Sequence, residues 1–95
     1  MTKSELIDAL AQRRDIHRQV AEAVVNTIFD EMQQALIGGH RIEIRGFGSF
    51  KVRRYKGYTG RNPRTMDPIE VPPKRLPVFK PSRLMEARLN ASLEG

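Results

Sequence analysis

Over residues 1–40 the apolar positions recur at helical spacing. Leu6, Ile7, Leu10 and Ala11 share one helical face. Thr2 and Glu5 stand ahead of them in the spacing of a capping box, in which the hydroxyl accepts from the backbone and the glutamate reaches back. The pattern predicts a first helix over 3–13 and a short turn over 14–17, with Asp15 as a candidate cap. A longer stripe follows: Val20, Ala21, Val24, Val25, Ile28, Phe29, Met32, Ala35 and Leu36. It predicts a second helix over 18–37, ended by Gly38 and Gly39, one of which takes a left-handed cap. The first helix alone covers little of so wide a stripe. The second helix therefore either folds on the first by itself or, as its width favours, packs on a second copy as well.

The period then changes from helical to alternating. Arg41-Ile42-Glu43-Ile44-Arg45 reads as a half-buried strand with its charges on one face. Gly46-Phe47-Gly48 reads as a turn, and Ser49-Phe50-Lys51-Val52-Arg53 as a second strand with Phe50 and Val52 inward. Beyond Val52 the apolar face disappears, which predicts a ribbon leaving the body and turning at Asn62-Pro63. Ile69 and Val71, then Leu76, Val78 and Phe79, mark its return. Pro68, Pro72, Pro73 and Pro77 lack the N–H a ladder needs, so the returning strand belongs at an edge. Pro81-Ser82 opens a last helix with Leu84, Met85 and Leu89 apolar. The expected fold is α+β: a helical hairpin, a three-stranded antiparallel sheet with a long protruding β-ribbon, and a short C-terminal helix. Its parts are 1–40 (helical, dimerising), 41–52 with 76–81 (sheet body), 53–75 (arm) and 82–95 (last helix).

Charge singles out the arm. The 95 residues carry a net charge of +6, but residues 41–83 hold twelve basic and three acidic side chains. Over 53–68, Arg53, Arg54, Lys56, Arg61 and Arg64 face Asp67 alone. A polyanion is the expected partner. There is no cysteine for a disulfide or a thiolate metal site. No apolar run approaches the roughly 20 residues of a membrane span, and the N-terminus lacks the apolar core of a signal peptide; the expected location is the cytoplasm. His17 and His40 lie far apart, and neither a nucleophile elbow nor a phosphate loop appears. No metal, cofactor, small-molecule substrate, membrane partner or enzymatic activity is expected.

Gly46-Phe47-Gly48-Ser49-Phe50, then Gly60-Arg61-Asn62-Pro63-Arg64-Thr65, then Pro77-x-Phe79-Lys80, in this order and spacing, resemble the HU and integration host factor family of bacterial DNA-bending proteins. The resemblance covers nearly the whole chain. It implies an intertwined dimer whose two β-arms grip the minor groove of duplex DNA, each inserting one proline between base pairs. Pro63 matches that proline. Arg53, Arg54, Lys56, Arg61, Asn62, Arg64, Lys74 and Arg75 would line the arm and reach phosphates or groove edges. Lys3, Arg45, Gly46, Gly48, Lys80 and Arg83 would meet phosphates on the body. Phe29, Phe47, Phe50 and Phe79 would pack in the dimer core. The opening Thr2-Lys3-Ser4-Glu5-Leu6-Ile7 and the run 41–47 resemble the beta-subunit branch of the family, in which positions matching Glu43 and Arg45 contribute sequence preference.

Met66 stands where the resembled family usually carries glycine, and Tyr55 and Tyr58 stand where it often carries arginine. A methionine at positive φ is strained, so the tip turn is expected to differ. The tyrosines suit stacking on sugars or packing across the ribbon. Several readings stay open: a homodimer or a heterodimer with a paralogue, selective or unselective binding, and RNA in place of DNA. A purely structural module with basic arms is a further alternative.

Overall fold

The computed structural model describes residues 1–94; residue 95, the last of the expected C-terminal span, lies outside the described residues. The chain forms two compact units that meet in sequence between Gly38 and Gly39. The first holds α1 (Lys3–Arg14) and α2 (Arg18–Ile37). Thr2 Oγ1 accepts from the Glu5 N–H at 3.1 Å and donates to Glu5 Oε1 at 3.3 Å. The glutamate thus holds the capping hydroxyl rather than the Thr2 backbone.

Asp15 is a cap, as expected, and the helix it closes is α1. It takes the left-handed conformation (φ 50, ψ 53) and gives its N–H to the carbonyls of Ala11 and Gln12. Ile16 N–H also returns to Ala11 O at 3.1 Å. These bonds stop α1 after Arg14. His17 caps α2 instead, without a side-chain bond. Ile7, Ala21 and Val25 form the buried core of this unit, flanked by Leu6, Leu10, Ala11 and Ile16. Arg18 ties the two helices together, donating to Asp8 Oδ1 at 2.7 Å and to Ser4 Oγ at 3.0 Å. Of the paired glycines after α2, Gly39 takes the positive φ.

The second unit holds β1 (Ile42–Ile44), β2 (Gly48–Tyr55), β3 (Tyr58–Arg61), β4 (Pro68–Val71), β5 (Lys74–Pro81) and α3 (Arg83–Glu94). One antiparallel sheet has the order β1-β2-β5, so proline-bearing β5 is an edge as expected. Ile42 pairs with Phe50, Phe50 with Phe79, and Val52 with Pro77. The same face carries Ile42, Ile44, Phe50, Val52 and Phe79, the apolar side of the sheet. The Phe79 ring lies 4.8 Å from Phe50 and 5.4 Å from Phe47.

The ribbon is not continuous. It breaks at 56–57 on the way out and at Pro72-Pro73 on the way back, leaving β3 and β4 as a separate two-stranded ladder. Two consecutive residues without N–H groups cannot continue the pairing with β2. The last helix starts one turn position later than expected. Ser82 is its cap: Met85 N–H donates to Ser82 Oγ at 3.0 Å. Of Leu84, Met85 and Leu89, only Met85 is half-buried.

Candidate nucleic-acid interface

The β2–β5 register sorts the arm residues onto two faces. One face continues the apolar side of the sheet and ends in Arg54 directly opposite Arg75. The other carries Lys51, Arg53, Lys74 and Lys80, interleaved with Tyr55, Leu76 and Val78. All of these cations are exposed. Like charges directly across a ladder destabilise a free ribbon, and their concentration here makes a surface suited to a chain of phosphates. The Arg53 guanidinium sits 5.6 Å from the Tyr55 ring centroid, on the same face, so that tyrosine's ring already holds a cation.

Lys51 is a residue the sequence reading did not select. It shares the face of Arg53, and the alternation Ser49-Lys51-Arg53 carried that signal, but the strand assignment drew attention to Phe50 and Val52 instead.

β3 and β4 carry the ribbon to its tip, pairing Tyr58 with Val71 and Arg61 with Pro68. The turn beyond them is densely bonded. Met66 N–H donates to Asn62 O at 2.7 Å and Asn62 N–H to Asp67 O at 3.0 Å. Asn62 Oδ1 accepts from Arg64 N–H at 2.9 Å, which makes Asn62 a turn former as well as a candidate contact. Arg61 Nη1 donates to Met66 O at 3.3 Å. Met66 itself takes φ 61, the left-handed conformation that favours glycine and that the tip turn was expected to avoid. Pro63 and Arg64 stand exposed at this end.

On the body, Arg41, Arg45, Lys80 and Arg83 line a groove with Gly46, Gly48, Ser49 and Ser82. Arg45 is not on the strand: β1 stops at Ile44, and Phe47 N–H closes a turn onto Ile44 O at 3.0 Å. Gly46 takes φ 81 at the third position of that turn, which glycine fits without strain. Gly48 meets a different demand. It is buried, and a Cβ there would lie 2.5 Å from Lys80 O and 2.6 Å from the Phe79 ring. Packing therefore accounts for this glycine without any phosphate. Glu43 pairs with Arg41 at 2.8 Å, both exposed. Lys3 opens α1 in the helical unit. Phe29, Phe47 and Phe79 are 39–43% exposed and Phe50 is half-buried, so none is enclosed within the single chain. Among the described residues, no three His, Cys, Asp or Glu side chains are grouped to hold a metal ion, and no helix is long and apolar enough to cross a membrane.

Residues 1–90 match the family model described as bacterial DNA-binding protein. The chain belongs to that family. Curated relatives include the integration host factor subunit beta of Teredinibacter turnerae, 47% identical over 99% of this chain and 97% of the relative. That of Saccharophagus degradans is 45% identical over 100% and 98%. Among solved structures, Anabaena HU in a cocrystal with DNA superposes with a TM-score of 0.81, at 34% identity, over 94% of this chain and 97% of that one. The expected α+β architecture and the expected family are therefore both found, and the chain is a DNA-binding architectural protein of the HU and integration host factor kind.

Proposed function

We propose that this protein bends duplex DNA as a dimer, with the ribbon over 53–75 following the minor groove and Pro63 wedged between base pairs at its tip. The observation that carries this reading is the ribbon itself: cations on both faces, ending in an exposed proline on a hydrogen-bonded turn. A rigid ring without an N–H can enter an unstacked step without leaving a buried donor unpaired. Proteins that insert such wedges, this family among them, kink the duplex by about 20–90°.

Arg53, Arg54, Lys56, Arg61, Arg64, Lys74 and Arg75 neutralise phosphates or enter the groove in this reading, and Lys51 joins them. Lys3, Arg45, Lys80 and Arg83 hold the flanks of the bent duplex. The helical part over 1–40 supplies the dimer contact, since Val20, Val24, Ile28 and Phe29 leave an apolar face of α2 open. The relatives' name, subunit beta, favours a partner of a different sequence over a second copy. Such a dimer would act on the nucleoid, in the cytoplasm, in chromosome organisation, recombination or transcription, without catalysis.

Energy transfer between dyes on the ends of a ~35-base-pair duplex tests the reading. The wild type brings the ends together, and Pro63→Ala does so less while keeping much of the affinity. Binding by the wild type without approach of the ends would refute bending. Tighter binding to an RNA duplex than to DNA in competition would move the function to RNA.

A further inference from the structure

We propose that Met66 is a second apolar wedge, entering the minor groove beside Pro63 and filling space that the proline opens. The inference rests on the Pro63 reading above and adds to it a second apolar side chain from the same turn.

Three observations converge on this side chain. First, Met66 has φ 61, a conformation that costs a non-glycine residue free energy and persists only when its surroundings hold it. Here they do: its N–H donates to Asn62 O at 2.7 Å, and its carbonyl accepts from Arg61 at 3.3 Å. Second, that N–H closes a single turn on Asn62, so the turn holding Pro63, Arg64 and Thr65 also holds Met66. The two apolar side chains are thereby kept at the same end of the ribbon. Third, Met66 is 59% exposed. Most of its surface meets solvent, whereas glycine would relieve the backbone. The residue is therefore costly to the free arm, and its side chain is free for a surface that comes from outside.

Methionine suits that surface. It is unbranched and polarisable, and it adapts to irregular apolar gaps. It is also among the side chains that architectural proteins insert between base steps. The neighbouring Arg61 and Arg64 bring the turn to the phosphates on either side.

The test uses methionine oxidation as a contact probe. The full-length protein, alone and saturated with a ~35-base-pair duplex, is treated with dilute hydrogen peroxide, and each methionine is quantified by peptide mass spectrometry. Met1, 99% exposed, is the internal control. The expected result is that DNA slows oxidation of Met66 about tenfold while Met1 changes little. Oxidation of Met66 at its free rate in the saturated complex overturns the proposal. Variants supply the second arm. Met66→Gly, although it relaxes the backbone, should weaken binding about threefold to tenfold and reduce the bend, and Met66→Leu should restore most of both. If Met66→Gly binds and bends as the wild type does while Pro63→Ala bends less, the second wedge is wrong and the first stands. If Pro63→Ala also bends as the wild type does, the wedge reading itself falls and this proposal falls with it.

Discussion

Gly48→Ala should cost this protein more stability than any other single added methyl on the sheet. The Cβ would sit 2.5 Å from the Lys80 carbonyl oxygen and 2.6 and 2.7 Å from two atoms of the Phe79 ring. The ring can turn aside, but the carbonyl belongs to the strand paired with Gly48 and cannot move without opening the ladder. Overpacking of this kind costs about 1–3 kcal/mol. Displacing Phe79 also disturbs its contacts with Phe47 and Phe50, and such pairs contribute about 0.5–1.5 kcal/mol each. A loss of about 2–4 kcal/mol follows, or a fall in Tm of roughly 10–20 °C for a domain of this size. Gly46→Ala is the matched control. Its Cβ meets only Leu84 Cδ2, at 3.6 Å, so its cost is that of φ 81 alone, about 1–2 kcal/mol. Thermal melts of both variants, at one protein concentration because subunit association contributes to Tm, give the order. A Gly48→Ala protein as stable as the wild type, or more stable than Gly46→Ala, refutes the packing account.

Two further outcomes are expected. Lys51→Ala should weaken DNA binding similarly across sequences and reduce the slope of log affinity against log salt by about 0.9; an unchanged slope in titrations at several salt concentrations would place Lys51 away from the phosphates. Asp15→Gly should raise the unfolding free energy by ~0.5–1 kcal/mol, because glycine takes the left-handed cap without the Cβ penalty; a denaturant midpoint below the wild type's would mean that the aspartate side chain has a stabilising role of its own.

The helices were legible because their signals are local. The stripe from Val20 to Leu36 and the Gly38-Gly39 stop placed α2 to the residue. Asp15 was legible as a cap but not as the cap of a particular helix, because an aspartate between two helices suits either the end of one or the start of the next. The choice depends on a φ that composition does not encode. The division of the ribbon at 56–57 and Pro72-Pro73 was missed for a related reason: prolines marked an edge, but two in succession also end the pairing, and only the register shows where. The interface was read from charge and from motif, which found the arm and its tip. Those signals could not separate the two glycines near the body. Gly46 is required by a backbone angle and Gly48 by a neighbouring ring, and the second depends on a strand some thirty residues away in sequence.

Most of this chain obeys the ordinary rules of a folded domain: hydroxyl caps at Thr2 and Ser82, prolines on an edge, alternation matched to the sheet. Consistency of that sort is what lets a sequence specify a structure, and departures from it concentrate where function is served. Three departures, apart from the left-handed Asp15 between the helices, fall on exposed surfaces. Arg54 faces Arg75 across the ladder. Met66 holds a left-handed backbone in the open. Val20, Val24 and Ile28 leave an apolar stripe on α2 exposed. In the free chain the strained turn and the hydrated apolar stripe are unfavourable, and the facing arginines concentrate like charge. In the proposed complex a phosphate chain would meet the first, an apolar groove edge the second, and an apolar subunit face the third. Two of the three would then be answered by duplex DNA and the third by a partner protein. That division matches the layout of the molecule, with the cations and the strained turn on the ribbon and the open stripe on the helical unit.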